Sequence, residues 1–425
     1  MKAVGIDLGT TGISGILIDA NSGEVIKSIT KNSNAFIQTK NKWEKIQDVD
    51  KIINLAKSIL DDLLSDDVCA IGVTGQMHGI VYFDECGKAV SPLYIWQDER
   101  GNLPFKNTTY AKELNSYSGY GCVTDFYNRV NGLIDKNAVG FCTIADYFVM
   151  QLSNIKTPII HTTNAASFGC FDLQTKKFSY DCNNEINDCF TIAGYYKNIP
   201  VSVAIGDNQA SVLSTCKEND LLLNVGTGSQ VSVISSEVCV ADNVETRPYF
   251  EGKRLIVGSA LCGGRAYSLV KDFIRDILRL KVDVTDDDVY ALMSNMIKNV
   301  KNPTVKADTR FAGTRANRYL SGSFYNVNTE NFTAGEFVCA VLDGMVEELY
   351  GMYKLFKTER TTVVGAGNGI RKNKKLVDVI ERTFNCVVKI PAHTEEASFG
   401  AALFALVATK KYSSILEAQK LIRYI

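Results

Sequence analysis

An aspartate stands near the end of the first apolar run, where a buried strand would not normally carry a charge. In the stretch "AVGIDLGTTGISGILIDA" (3–20), Asp7 is followed one residue later by a turn of glycines and threonines. Such a turn presents backbone N–H groups and hydroxyls to an anion. A carboxylate beside that anion can hold a hydrated Mg²⁺. The pattern predicts a phosphate-binding hairpin at Thr10 and Thr11, with Asp7 as the metal residue.

The same arrangement occurs again half-way along the chain. In "LLLNVGTGSQVSVIS" (221–235), an apolar run leads into Gly226, Thr227 and Gly228 and then into a second apolar run. Either turn alone could be an ordinary tight hairpin, with Asp7 as its Asx-turn residue. Two copies at the starts of two halves indicate a duplication instead. They predict two contacts for one chain of phosphates.

Composition excludes several classes of function. The chain has 425 residues, a net charge of −1 and only 3 histidines. A broad nucleic-acid or anionic-membrane surface is therefore not expected, and a histidine-rich metal centre is excluded. The 12 cysteines contain no C-x-x-C pair and are typical of reduced thiols. With no signal peptide and no membrane-spanning run, a cytoplasmic protein is expected.

The common nucleotide motifs are also missing. The sequence contains no P-loop, no strand–turn–helix with G-x-G-x-x-G, no protein-kinase set and no G-x-S-x-G elbow. The paired Gly-Thr hairpins therefore remain as the principal phosphate-binding feature.

Hydrophobic periodicity predicts the elements that must position these residues. Two α/β halves are expected, with a boundary near 215–220. Strands are predicted at 3–9, 13–19, 24–30, 69–75, 79–87 and on both sides of the second hairpin (221–235). Helices are predicted at 48–64, 142–152, 184–194, 261–279, 333–357, 396–409 and 413–422, and a strand, a glycine turn and a helix at 361–384.

Several segments, in their order along the chain, resemble the FGGY carbohydrate kinases. They are "GIDLGTTG" (5–12), "GVTGQMHGIV" (72–81), "PLYIWQDERG" (92–101), "AIGDNQASV" (204–212), "LNVGTGSQVSV" (223–233) and "VVGAGNG" (363–369). The order is more specific than any one segment. Within the family, "GQMHGIV", "LYIWQDERG", "CTIADYF" (142–148) and "NAASFGCF" (164–171) are most similar to the sedoheptulokinase group.

The resemblance implies a fold and an activity. The fold is α/β, with two duplicated ribonuclease-H-like domains of the actin and hexokinase type and the active site in the cleft between them. It implies that residues 1–215 serve the sugar, Mg²⁺ and phosphates, and that residues 216–425 serve the adenine nucleotide. The implied reaction uses ATP and Mg²⁺ to phosphorylate a primary hydroxyl of a ketose, giving sedoheptulose 7-phosphate from sedoheptulose. A monomer or a homodimer is expected.

The resemblance also assigns the catalytic base and the adenosine segment. Asp207 would accept the proton of the sugar hydroxyl. The alternative is a purely structural role, in which Asp207 only caps a helix. Gly365, Gly367 and Asn368 would carry the adenosine on bare backbone, unless they form a simple strand-to-helix turn.

Sugar recognition needs polar side chains that each satisfy a hydroxyl, and an apolar wall. The resemblance gives two segments this role. Asp98 would accept from hydroxyls, and Arg100 would donate to others or orient Asp98. Trp96 would be a stacking wall or a core indole, and His78 a sugar contact or a structural residue. The remaining candidates are Gln76, Asn208 and Met77, of which Met77 is the most consistent with packing.

Other functions remain open at this point. A kinase for xylulose, ribulose or a polyol would use the same polar set. An actin-like or chaperone-like ATPase would keep both hairpins but has no use for Asp207 together with "WQDERG" (96–101). A silent sugar sensor would be expected to lose Asp207 or a phosphate hairpin, and neither is lost. One departure from the family is Thr314, in "FAGTRANR" (311–318), where relatives often carry a glutamate.

Overall fold

The chain forms two compact units. A computed structural model describes residues 1–182, 186–314, 317 and 319–425. The first unit comprises Met1–Lys217, Arg247–Lys253 and His393–Arg423, and the second comprises Glu218–Thr246, Arg254–Ala392 and Tyr424–Ile425. Each unit has its own mixed sheet and its own hydrophobic core.

The main sheet of the first unit begins with the predicted antiparallel strands. Its strands are β1 (Lys2–Leu8), β2 (Gly12–Asp19), β3 (Val25–Asn32), β4 (Val68–Gly75), β5 (Ile192–Tyr196), β6 (Ile199–Ser202) and β7 (Ile205–Gly206). They lie in the order β5-β6-β4-β1-β2-β3, and β7 pairs with β4. β1 is antiparallel to β2 and parallel to β4.

The main sheet of the second unit repeats this arrangement. Its strands are β8 (Asp220–Val225), β9 (Ser229–Ser235), β10 (Val244–Pro248), β11 (Arg254–Ala260), β12 (Thr362–Ala366) and β13 (Val387–Lys389). The order is β10-β11-β9-β8-β12-β13. As in the first unit, the strand before the Gly-Thr turn is antiparallel to the strand after it and parallel to a later strand. The repeated topology confirms the predicted duplication of an α/β unit.

Short two-stranded ladders complete the β-structure. They pair Ile46–Gln47 with Leu93–Tyr94, Val81–Asp84 with Ala138–Cys142, Pro104–Phe105 with Thr108–Thr109, Ile160–His161 with Ile186–Asn187, Phe171–Asp172 with Lys177–Phe178, and Lys306–Asp308 with Ser323–Tyr325.

The helices follow the predicted apolar periodicity in most places. They are α1 (Val49–Leu63), α2 (Tyr110–Glu113), α3 (Gly121–Val130), α4 (Ile144–Ser153), α5 (Thr162–Ser167), α6 (Asp207–Thr215), α7 (Gly264–Leu278), α8 (Asp286–Met296), α9 (Ala334–Leu355), α10 (Asn368–Lys372), α11 (Lys374–Phe384), α12 (Glu396–Ala408) and α13 (Ile415–Ala418), with 3₁₀ turns at Arg100–Asn102, Ile297–Asn299 and Gln419–Leu421. None of the helices in the described part of the chain is both long and apolar enough to cross a bilayer.

The C-terminal segment His393–Arg423 belongs to the first unit, whereas the predicted division at residue 215 places it in the second half. Helix α12 packs so closely on the sheet that a Cβ at Gly5 would lie 1.8 Å from the Ser398 carbonyl oxygen. A Cβ at Gly72 would lie 1.9 Å from the Ala401 oxygen. Two glycines on neighbouring strands thus allow backbone-to-backbone packing that no larger residue would permit.

The predicted helix at 184–194 is wrong for the residues that the structure describes; residues 183–185 lie outside them. Ile186–Asn187 is a strand, and β5 begins at Ile192. β5 turns directly into β6 through Lys197 and Asn198, whose φ angles of +48° and +65° are those of a two-residue hairpin turn. The aromatic and β-branched residues of this segment favour that pairing over a helix.

Candidate active site

Three predicted site residues meet at one edge of the first unit's sheet. β1, β4 and β7 run parallel, and Gly75 lies opposite both Leu8 and Gly206 in the register. Because parallel strands end at the same edge, Asp7 near the end of β1 comes close to Gln76 and Asp207, which directly follow β4 and β7.

Asp7 is a half-buried carboxylate that lies near other acids. Burial raises its pKa to about 8, and the nearby Asp207 and Glu395 carboxylates add to that effect. Its Oδ1 is shielded from solvent and accepts no hydrogen bond among the described residues. A shielded, unsatisfied carboxylate oxygen among other acids fits a cation, because a cation would favour its ionised form.

Among the described residues, no three His, Cys, Asp or Glu side chains are placed to bind a metal ion together. Mg²⁺ usually keeps several waters and takes one or two carboxylates plus the phosphates of its nucleotide.

Asp207 is the first residue of α6 and does not cap it. The N-cap is Gly206, and no side-chain hydrogen bond caps the helix. Burial raises the pKa of Asp207 to about 6, although the backbone N–H of Asn208, which donates to Asp207 Oδ1 at 2.7 Å, and the charge of Arg247 both lower it. A carboxylate with a pKa near 6 is ionised at neutral pH and can still accept a proton usefully.

Buried polar contacts fix the strand that leads into Asp207. The Thr74 hydroxyl donates to the Ile205 oxygen at 2.7 Å, and the Gly206 N–H donates to Thr163 Oγ1 at 3.0 Å. Met77 lies against Gly206, since a Cβ there would come within 2.8 Å of the Met77 sulfur. Met77 therefore supports the turn before Asp207, in agreement with a packing role.

In the first hairpin, Thr11 is exposed and the Thr10 side chain is held by hydrogen bonds. The Thr10 hydroxyl donates to Gln76 Oε1 at 3.4 Å and accepts from the indole Nε1 of Trp96 at 3.0 Å. Gln76 is buried, whereas Trp96 is 47% exposed and is thus no core indole. The exposed face of Trp96 can serve as a wall for a ligand, while its N–H holds the hairpin.

His78 occupies a strained and well-defined position. Its φ of +72° is unusual for a residue other than glycine. Its N–H donates to Ser167 Oγ at 3.1 Å, its Nδ1 lies 2.8 Å from the Ser167 oxygen, and its ring stacks on Tyr120 at 4.2 Å. Since a carbonyl only accepts, Nδ1 carries a proton, and the imidazole orientation is fixed.

Asp98 and Arg100 satisfy each other inside the protein. Both are about 1% exposed. Arg100 donates to both Asp98 oxygens through Nε (2.7 Å) and an Nη atom (3.1 Å), while the backbone N–H groups of Arg100 and Lys45 take the remaining positions. The guanidinium also donates to Asn128 and lies 4.3 Å from the ring centroid of Tyr94. Of the two roles expected for Arg100, this geometry supports orienting Asp98.

The second hairpin rests on the start of α7. The N–H groups of Gly264 and Arg265 donate to the Gly226 and Thr227 oxygens at 2.9 and 3.0 Å. Gly226 and Thr227 are exposed. The turn is therefore held from behind and presents its outer side, as a phosphate contact requires.

The glycine turn lies beside this hairpin in the second unit's sheet. Asn224 pairs with Ala366 across parallel strands, so Gly367 and Asn368 follow at the same edge as Gly226. Gly367 has a φ of +82°, and a Cβ there would lie 2.5 Å from Asn224 Oδ1. Gly365 is buried inside β12 against Ile370, which leaves Gly367 and the exposed Asn368 as the accessible backbone.

Two residues at the site had no local signal in the sequence. Gln47 is fully buried, and its Nε2 donates to the Thr10 oxygen at 2.6 Å. Glu395 contributes to the charge around Asp7 and accepts from the Thr30 hydroxyl at 3.3 Å. At the family departure, Thr314 is buried and its N–H donates to the Asn317 oxygen at 2.9 Å, whereas residues 315, 316 and 318 lie outside the described part.

Comparison with known proteins gives the family. Residues 2–186 match the N-terminal domain of the FGGY family of carbohydrate kinases. Residues 2–186 therefore belong to this family. As a carbohydrate kinase the protein transfers a phosphoryl group from ATP to a small-molecule sugar. The chain is 28% identical to a sedoheptulokinase from Mus musculus over 95% of its length and 97% of that protein. A sedoheptulokinase from Homo sapiens is 26% identical over the same shares.

Solved structures support the fold. The xylulose kinase from Rhodospirillum rubrum superimposes with a TM-score of 0.86 at 15% identity, covering 100% of this chain and 93% of the other. The glycerol kinase from Plasmodium falciparum, solved with ADP, gives a TM-score of 0.80 at 17% identity, covering 99% and 92%. The two-unit actin-like kinase fold expected from the sequence is confirmed.

Proposed function

We propose that this kinase phosphorylates the terminal primary hydroxyl of sedoheptulose, using ATP and Mg²⁺, to give sedoheptulose 7-phosphate. The observation that carries the proposal is the position of Asp207, a half-buried carboxylate with a pKa of about 6 at the same sheet edge as the Thr10 hairpin. Its likeness to the mouse and human sedoheptulokinases supports the choice of sugar.

In the proposed reaction, the oxygen of the sugar hydroxyl forms a bond to the γ-phosphorus, and the bond between the γ-phosphorus and ADP breaks. Asp207 accepts the proton of that hydroxyl. Thr10 and Thr11 bind the phosphates from the first unit. Asp7 would hold Mg²⁺ through water, and the ion would offset the negative charge of the phosphates.

We assign the second unit to the nucleotide and the first to the sugar. Gly226, Thr227 and Gly228 would contact phosphates, and Gly367 and Asn368 the adenosine, with Gly365 supporting their turn. Gln76, His78, Trp96 and Asn208 would contact the sugar, Asp98 and Arg100 would shape its site, and Met77 would support Asp207. A monomer or homodimer in the cytoplasm is the expected form, in keeping with cysteines that are all free.

A substrate panel tests the proposal. ADP release is measured with sedoheptulose, xylulose, ribulose and glycerol at several concentrations, with and without Mg²⁺. Sedoheptulose is expected to give the highest kcat/KM, and turnover is expected to require Mg²⁺. If xylulose, ribulose or glycerol gave a higher kcat/KM, that compound would replace sedoheptulose as the proposed substrate. ATP hydrolysis that no sugar stimulates would contradict the sugar-kinase mechanism proposed for these residues.

A further inference from the structure

Three side chains of the first unit close a ring of hydrogen bonds behind the phosphate hairpin. The Thr10 hydroxyl donates to Gln76 Oε1 at 3.4 Å, and Gln76 Nε2 donates to Gln47 Oε1 at 3.0 Å. Gln47 Nε2 then donates back to the Thr10 carbonyl oxygen at 2.6 Å. We call Thr10, Gln47 and Gln76 the glutamine ring. It fixes both the backbone and the hydroxyl of Thr10.

The ring is attached to a group that faces the proposed sugar site. The Trp96 indole N–H donates to the Thr10 hydroxyl oxygen at 3.0 Å. A hydroxyl has one proton to donate, and here that proton points to Gln76. The direction in which Thr10 can present its oxygen is therefore set by Trp96 and Gln76 together.

Both glutamines of the ring are buried. Gln47 is 0% exposed and Gln76 is 3% exposed, so water cannot replace a missing partner. The backbone strengthens the connection, because Gln47 pairs with Leu93, three residues before Trp96, in a short ladder.

We propose that Gln47 is a positioning residue that couples the sugar contacts of this kinase to its phosphate contacts. Through the glutamine ring, a sugar that settles against Trp96 and Gln76 orients Thr10 for the phosphates. Gln47 itself touches neither substrate. The inference rests on the proposed function only in taking Thr10 as a phosphate contact and Trp96 as a sugar contact.

The experiment compares a phosphate-bearing ligand with one that lacks phosphate. Calorimetric titration of the full chain with the β,γ-imido analogue of ATP plus Mg²⁺ is compared with titration by adenosine. The variants are Gln47→Met, Trp96→Phe and their combination. The matched control is Gln419→Met, because Gln419 is 1% exposed and its Nε2 also donates to backbone oxygens, those of Leu213 and Cys216 at 3.0 and 2.6 Å.

We expect the affinities of the variants for the ATP analogue and for adenosine to change differently. Gln47→Met and Trp96→Phe should each weaken the analogue about tenfold, as expected when a buried polar group loses its partner, and should leave adenosine unchanged. Because both act through Thr10, the double variant should also lose about tenfold rather than a hundredfold. Gln419→Met should bind both ligands like the wild type.

Three results would overturn the coupling. Equal weakening of adenosine and the analogue would show a general loss of structure. A similar loss in Gln419→Met would show the same. Independent, multiplying effects of Gln47→Met and Trp96→Phe would show that they do not act through one residue. If Gln47→Met does not fold, Trp96→Phe alone still decides, because an unchanged affinity for the analogue would break the connection. These titrations need no turnover, so a failure of every ketose in the panel would count against the proposed function and not against the ring.

Discussion

Asp207 combines partial burial with a position at the start of a helix, and these two features set its chemistry. Replacing it by asparagine keeps the size and removes the proton acceptor. For Asp207→Asn we expect kcat to fall about 10²–10⁴-fold with little change in affinity for the ATP analogue. Asp50→Asn, which removes an acid from the first turn of α1, is the control and should retain full activity. A kcat near the wild-type value in Asp207→Asn would show that Asp207 is not the catalytic base.

The pKa of Asp207 also predicts the acid side of the pH profile. The base must be ionised to accept a proton, and burial holds its pKa at about 6. In initial-rate measurements, kcat/KM should therefore be constant above about pH 7 and fall tenfold per pH unit well below pH 6. An acid limb centred near pH 4, the range of an ordinary aspartate, would show that Asp207 is more solvated than the structure indicates.

Asp7 should destabilise the protein at high pH when no metal is bound. The pKa of Asp7 is about 8 in the folded state, against an ordinary value of 3.8, so between these pH values it holds a proton that the unfolded chain has lost. Stability is therefore lost as the pH rises through this window. Asp7→Asn should unfold about 2–4 °C or more above the wild type at pH 8, the shift that about 1 kcal/mol produces. Thermal melts without Mg²⁺ should show no difference near pH 4; a lower Tm for the variant at pH 8 would contradict the sign.

The buried pair of Asp98 and Arg100 should matter for stability before it matters for recognition. Arg100→Met leaves the Asp98 charge buried without its partner, which costs about 3–5 kcal/mol. Urea unfolding measures this loss, and KM for the sugar should rise more than KM for ATP. Lys197→Met removes the exposed ion pair with Asp61 and should cost about 0–1 kcal/mol. A loss for Arg100→Met as small as that of the control would mean that the pair is open to water.

At the scale of elements, the contact between α12 and the sheet depends on the absence of a side chain. Gly72→Ala would place a Cβ 1.9 Å from the Ala401 oxygen, and backbone cannot yield as a flexible side chain can. We expect a loss of about 1–3 kcal/mol or more. Gly351→Ala is the matched control, because Gly351 lies in α9 and a Cβ there would have nothing within 4 Å. Alanine there should increase the free energy of unfolding by roughly 0.5–1 kcal/mol. Equal effects in denaturant melts would contradict the close packing.

The elements nearest the chemistry could be predicted because their signals are local. Gly-Thr turns between apolar runs define both hairpins, and α1 has its apolar face and its cap at Asp48 within one window. The hairpin of β5 and β6 was missed because its turn uses Lys197 and Asn198 instead of glycine. Gln47 was missed because a single glutamine carries no pattern, and its role arises only when Gln76, Trp96 and Thr10 are brought to it by the fold.

At the scale of the whole molecule, the first unit is not a continuous stretch of sequence. It takes its last helices from residues 393–423, and nothing in the periodicity of α12 says which sheet it covers. Long-range packing of this kind could not be predicted from local patterns. The hairpins and their order along the chain could be, because duplication repeats the same signal twice.

A chain that stops at residue 392 should therefore fail to complete its first unit. Without α12, the face of β1 and β4 that carries Gly5 and Gly72 has no cover. We expect fast amide exchange in these strands and binding of a hydrophobic dye. The control is the full chain with a protease site between residues 392 and 393, cleaved after folding, which should keep protected strands. Native-like protection in the shortened chain would show that α12 is dispensable.

The position of α12 has a consequence for how the protein is made. A ribosome adds about 5–20 residues per second, so β1 leaves the exit tunnel many seconds before the helix that covers it. The second unit, whose main segments end at Ala392, has nearly all of its chain available first. During synthesis these strands must wait uncovered, because they are translated before the helix that packs on them. Until α12 has been translated, the apolar faces of β1 and β4 would be open to chaperones.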